Sequence, residues 1–146
     1  GINDPFTAMR CVDRLGAALC RLCTRRFPSA YRHDEEGALR VVARRPSFAG
    51  LVDSAFDQIR QYGRASPAVT IRLLETIEVV AGCAGRQEAL REPLRAQAER
   101  IFAGAKEARH SPSDLADIER RYRDAMDALA RGAGADGVPM QPRKRA

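Results

Sequence analysis

The chain has 146 residues and is 45% hydrophobic and 30% charged, the balance of a single globular domain with a core of its own. Trp is absent and Phe and Tyr number five and three, so that core must rest on Leu, Val, Ile and Ala. The net charge is +6, with nine basic against five acidic side chains in residues 1–46, thirteen of each in 47–131 and three against one in 132–146; neutral central helices argue against a basic recognition helix in a DNA groove, and no apolar run approaches the roughly 20 residues that span a bilayer.

The chain opens on Gly1 rather than Met, so it is expected to be an internal piece or a processed product of a longer protein. No secretory signal peptide is visible. Helix 1 is predicted from Asp4, whose carboxylate suits an N-cap, with Pro5 at the first helical position. Its stripe is Ala8, Val12, Leu15, Leu19 and Leu22, stepping by four, three, four and three. Pro28 closes the segment.

Residues 30–44 lose the helical period. Asp34-Glu35-Glu36-Gly37 reads as a turn with Gly37 free to take positive φ. A small β-hairpin is predicted, Tyr31–His33 against Leu39–Ala43. An isolated hairpin is marginal in water, so it should pack on a helix or add to a sheet elsewhere.

Helix 2 begins after Pro46 with Ser47 as N-cap. Phe48, Leu51, Val52, Ala55, Phe56, Ile59 and Tyr62 make its apolar face, and Gly63 suits a left-handed C-terminal cap. Ser66-Pro67 opens helix 3, with Val69, Leu73, Leu74, Ile77, Val80 and Ala81 inward and an end near Gly82 or Gly85. Helix 4 runs from about Gln87 to about Ala108 on Leu90, Leu94, Ala98, Ile101 and Phe102. Pro93 should kink it or mark its real start. Ser111-Pro112-Ser113-Asp114 caps helix 5, with Asp114 at the capping-box position. Its inner face is Leu115, Ile118, Tyr122, Ala125 and Leu129. Asp117/Arg121, Glu119/Arg123 and Asp127/Arg131 are acid-before-base pairs at i,i+4. The expected architecture is mainly α: an irregular bundle of about five helices over residues 1–131 with the hairpin after the first. Residues 132–146, Gly-rich and then basic, are expected to be a disordered tail.

Few residues suggest chemistry. Cys20-x-x-Cys23 with His33 or Cys83 could supply zinc ligands, but structural zinc pairs usually sit in turns and four ligands must converge. Buried small thiols are the preferred reading, and reduced thiols in a reducing compartment are expected. His33 and His110 join no nucleophile. Asp53 and Asp57 stand i,i+4 on helix 2, a spacing that acid/base or divalent-metal chemistry can use, although a solvated face beside Arg60 or Arg64 is more ordinary. Asp57, Arg60, Gln61 and Tyr62 flank the core residue Ile59. Facing Asn3, Asp4, Thr7, Asp13 and Arg14 of helix 1, they form a candidate polar junction, read first as a hydrogen-bonded joint and second as a ligand or partner site.

Three stretches, Ile2-Asn3-Asp4-Pro5-Phe6-Thr7-Ala8, Asp13-Arg14-Leu15 and Phe56-Asp57-Gln58-Ile59-Arg60-Gln61-Tyr62-Gly63, together with Leu39-Arg40-Val41-Val42, resemble the predicted bacterial membrane proteins with domain of unknown function 2254. The resemblance covers residues 1–83 well and the last two helices more loosely. It implies N-terminal transmembrane helices in the parent, followed by a soluble region of which this chain is the last part. It implies no activity, cofactor or catalytic residue. The expected role is therefore that of a non-enzymatic cytoplasmic domain of an inner-membrane protein, serving oligomerisation or regulation of the membrane part. Its partners would be that missing part or a second copy. The basic ends would touch anionic lipid weakly, and no specific nucleic acid is expected. The alternatives are a metal-binding or enzymatic domain built on Asp53 and Asp57, and a weak nucleic-acid binder.

Overall fold

A computed structural model describes residues 4–131. Asn3 and the tail expected to be disordered lie outside the described residues. The order is α1 (Pro5–Cys23), β1 (Tyr31–His33), β2 (Leu39–Val42), α2 (Phe48–Gly63), α3 (Pro67–Ala84), α4 (Glu88–Glu107) and α5 (Pro112–Arg131). The mainly α reading, with five helices and a hairpin after the first, holds among these residues.

Short polar side chains start three of the helices as expected. Asp4 accepts from the Phe6 N–H at 3.0 Å, and the Thr7 hydroxyl donates to its other oxygen. Both bonds, the Thr7 hydroxyl first, hold the Asp4 carboxyl below the usual carboxylate range. Ser47 accepts from the Gly50 N–H at 3.1 Å. Ser111 accepts from the Asp114 N–H at 3.1 Å and donates its hydroxyl to the Asp114 carboxylate at 2.7 Å, an N-terminal cap in which the carboxylate holds the serine hydroxyl rather than its backbone N–H.

Three details differ from the sequence reading. Gly63 stays helical and Arg64 is the C-cap; a Cβ on Gly63 would stand 2.7 Å from Cγ1 of Val69, so this glycine serves close approach to α3. Helix α4 runs through Pro93, giving up only the one backbone donor that proline lacks. And Arg121, paired with Asp117 in the sequence reading, instead reaches Glu75 of α3 at 3.2 Å and Asp124 at 3.7 Å, while Asp117 takes Arg120 at 2.7 Å. Helix α3 ends at Gly85, whose φ of 57° suits glycine.

Helix α3 is the centre of the bundle and packs against all four other helices. Val69, Leu73, Leu74, Ile77, Val80, Ala81 and Ala84 are buried along it. Helix α1 approaches it closely at Gly16, where any Cβ would collide with the Thr76 methyl. An ionic chain crosses the surface over this contact: Asp13 to Arg72 at 3.3 Å, Arg72 to Glu75 at 3.2 Å, then Glu75 to Arg121. Phe102 of α4 stacks on Tyr122 of α5 with centroids 4.4 Å apart.

Arg91 of α4 is buried, 2% exposed. Its guanidinium donates to the carbonyls of Leu129 at 2.9 and 2.6 Å and of Ala128 at 2.5 Å, and to Gly85 O. No carboxylate pairs with it in the described residues; the carbonyl ends of α5 and α3, where the helix dipole is negative, accommodate its charge.

The hairpin stands apart. Tyr31 pairs with Val42, Arg32 with Val41 and His33 with Leu39, which leaves Arg40 as a bulge. Asp34 builds the turn: its carboxylate accepts from the N–H of Ala38 at 2.8 Å and of Glu36 at 3.1 Å and binds Arg40 at 2.5 Å. Arg40 first, then these amides, hold its carboxyl below the usual range. Gly37 takes the positive φ, 80°, that the turn requires. All seven strand residues are exposed.

Candidate functional site

The apolar faces of α2 and α4 meet over the core, and beside that contact runs a polar seam. Asp53, Asp57 and Arg60 lie on neighbouring turns of α2. From α4, Gln97 and Arg100 face them, again one turn apart. Gln97 is completely buried and donates its amide to Asp57 at 3.2 Å. Arg60 donates to the same oxygen at 3.3 Å. One turn away, Arg100 holds Asp53 at 2.5 Å. Past these pairs the seam opens into a groove of about 430 Å³ lined by Arg60, Gln61, Arg64, Arg100, Gly104 and Glu107.

Each carboxylate thus has its own cation, and Asp57 also has a buried amide. That is an arrangement for fixing two helices in register. Asp53 and Asp57 therefore each face an arginine, Arg100 and Arg60 respectively. Among the described residues no group of three or more His, Cys, Asp or Glu side chains is placed to hold a metal ion.

The polar residues grouped by the sequence reading do not share one site. Asp4 and Thr7 bond to each other at the start of α1. Asp13 turns to Arg72 of α3, and Arg14 borders a surface groove with Arg21 and Arg25. Asp57 and Arg60 meet α4 rather than α1. Gln61 lines the groove, and Tyr62 is 82% exposed, not part of the apolar face. The α4 partners went unnoticed in the sequence, although a signal existed: Gln97 stands on the stripe Leu90, Leu94, Ile101, and Arg91 on the stripe Leu94, Ala98, Ile101, Ala105. A polar residue on an apolar stripe must find a partner. Of the four cysteines, Cys20 and Cys83 are brought together from α1 and α3, Cys23 is buried nearby and Cys11 is exposed.

Fold and seam define a mainly helical domain that carries an exposed hairpin. The chain belongs to the family of predicted membrane proteins with domain of unknown function 2254, which its residues 1–79 match. It is 38% identical over 80 residues to the uncharacterized protein Rv1290c of Mycobacterium tuberculosis (strain ATCC 25618 / H37Rv) and equally to the uncharacterized protein Mb1321c of Mycobacterium bovis (strain ATCC BAA-935 / AF2122/97). The matched part is 55% of this chain and 15% of either relative. No solved structure matches it significantly. The matched segment contains α1, the hairpin, α2 and most of α3. No helix among the described residues is long and apolar enough to cross a membrane.

Proposed function

We propose that the chain is a non-enzymatic cytoplasmic assembly module of a multi-pass bacterial membrane protein, and that its hairpin docks on the rest of that protein to hold or regulate the membrane part. The observation that carries this reading is the hairpin itself. Tyr31, Leu39, Val41 and Val42 are 51–65% exposed, and among the described residues both strand edges are open and the strands pair only with each other. Open, apolar strand edges invite pairing with further strands. The hairpin lies inside the family-matched segment, and most of each relative's length lies outside the match, which favours an occupant within the same polypeptide. The cytoplasmic side is favoured by the arginine excess in residues 1–46.

The test uses the full-length protein in bacterial membranes, with a photo-crosslinking residue at Val42. Cross-linking within the polypeptide, upstream of this domain, is the expected result. A cross-link only to a second copy would replace the intramolecular occupant by a homo-oligomer, and no cross-link would end the docking reading. Digestion of this domain by protease added outside spheroplasts would exclude the cytoplasmic side.

A second reading concerns α1. Arg14, Arg21 and Arg25 surround Ala17, Ala18 and Leu22 in an open groove of about 750 Å³, a basic-apolar mixture that suits an anionic lipid surface. Salt-sensitive co-sedimentation with anionic but not zwitterionic vesicles would support it, and equal behaviour with both would reject it.

A further inference from the structure

We propose that Cys20 and Cys83 form an oxidation site: a small-molecule disulfide oxidant converts them to an internal disulfide that ties α1 to α3. The two thiols lie 63 positions apart in sequence, yet their Sγ atoms are 2.6 Å apart, inside the contact distance of two sulfurs. They belong to helices that pack along much of their length, so their approach is set by the bundle and not by a mobile loop. The inference is independent of what the hairpin binds.

The surroundings assign an order to the chemistry. Cys83 is exposed and Cys20 half-buried, so the oxidant meets Cys83 first. The Cys83 thiolate attacks one sulfur of the oxidant RSSR, forms a mixed disulfide and releases RS⁻. The Cys20 thiolate then attacks the Cys83 sulfur and expels the second RS⁻. Two protein thiols lose two electrons and two protons, and RSSR becomes two RSH. Burial first, then the hydrogen bond and charge of Cys83, push the Cys20 thiol up to about 12. Both effects of Cys83 end once its sulfur is derivatised, so the first step prepares Cys20 for the second. Cys23, one turn further along α1, is held up to about 11 mainly by burial and remains a packed, protonated thiol.

The closed loop encloses the hairpin and α2. Oxidation therefore restrains the segment that carries the exposed strands, whatever its partner. The plain alternative is that two small thiols pack against each other without redox chemistry.

The reduced chain is to be incubated with oxidised glutathione and examined by intact mass, peptide mapping and thermal unfolding. The expected product is a monomer about 2 Da lighter in which Cys20 is joined to Cys83, with Tm raised by about 10 °C and restored by reductant. Cys83→Ser, at an exposed position, should fold normally and lose both effects, while Cys11→Ser should lose neither. A stable glutathione adduct on Cys83 without closure, a disulfide through Cys23 or Cys11, or a disulfide-linked dimer would each overturn the proposal.

Discussion

Helix α3 and the β-hairpin use the same kinds of residue to opposite ends. Val69, Leu73, Leu74, Ile77 and Val80 of α3 are 0–2% exposed, whereas Tyr31, Leu39, Val41 and Val42 of the hairpin are 51–65% exposed. One helix is covered by four others; the hairpin packs closely against no helix among the described residues. Apolar, β-branched composition therefore does not by itself mark a core. What separates the two regions is whether the chain returns to cover them, and the bundle closes around α3 without using the strands. The core is thus a property of the bundle, while the apolar side chains of the hairpin stay open to solvent.

The largest effect is expected in the buried helix. Leu74→Ala removes a side chain with no exposure from a helix packed on every other helix, and truncation in a close-packed core costs about 2–5 kcal/mol. Urea unfolding should show a loss of that size. A loss below about 1 kcal/mol would mean that α3 is not the centre of the cooperative unit.

Arg91 comes next. Arg91→Met keeps most of the stem that fills the space between α4 and α5 but leaves the Leu129, Ala128 and Gly85 carbonyls without their donor. The expected cost is about 2–3 kcal/mol, between that of an unsatisfied polar group and of a lost charged bond. Arg91→Lys, with fewer donors and no planar fork, should recover only part of it. Amide exchange at the end of α5 should rise more than at the end of α1, because the lost contacts lie there.

These two sites also show what the sequence could and could not tell. Val69, Leu73 and Ile77 repeat at the helical period, and Asp4-Pro5 and Ser111-Pro112 carry cap chemistry that acts within four residues. Such features are local, and they stand where they were expected. The partners of Asp57 were not legible in the same way. Its carboxylate suits α1 or α4 equally well by composition, and only the packing of α2 on α4 selects Gln97, 40 positions away. The Cys20–Cys83 approach is likewise a product of the α1–α3 contact. Gly63 matters for the missing Cβ against Val69, which no local cap pattern reports.

A smaller effect is expected from pH. Cys20 and Cys23 sit at about 12 and about 11 in the fold, against an ordinary value of 9.0. The stability that goes with their protonated forms is fully present below about pH 9 and is lost as pH rises through the folded values. In reductant, the urea midpoint should fall between pH 9 and pH 10.5 by less in a Cys20→Ala, Cys23→Ala double variant than in the parent chain. Parallel falls in both would show that these thiols gain nothing from remaining protonated.

The smallest effect on stability should come from the other pole of the comparison. Val41→Thr with Val42→Thr keeps β-branched side chains in both positions and removes exposed apolar surface. Substitutions of this kind away from the core change stability by about 0.5 kcal/mol or less, so the unfolding midpoint of the chain should barely move. In the full-length membrane protein the same pair should weaken the cross-link from the hairpin to the rest of the polypeptide, measured from a label at Tyr31 so that the mutated positions stay free. The two readouts separate two kinds of apolar surface. If the midpoint falls by more than about 1 kcal/mol, the hairpin belongs to the bundle after all and its exposure is not an offer to a partner. If the midpoint holds and the cross-link persists, the strands dock through their backbone edges alone, and Val41 and Val42 contribute shape rather than affinity.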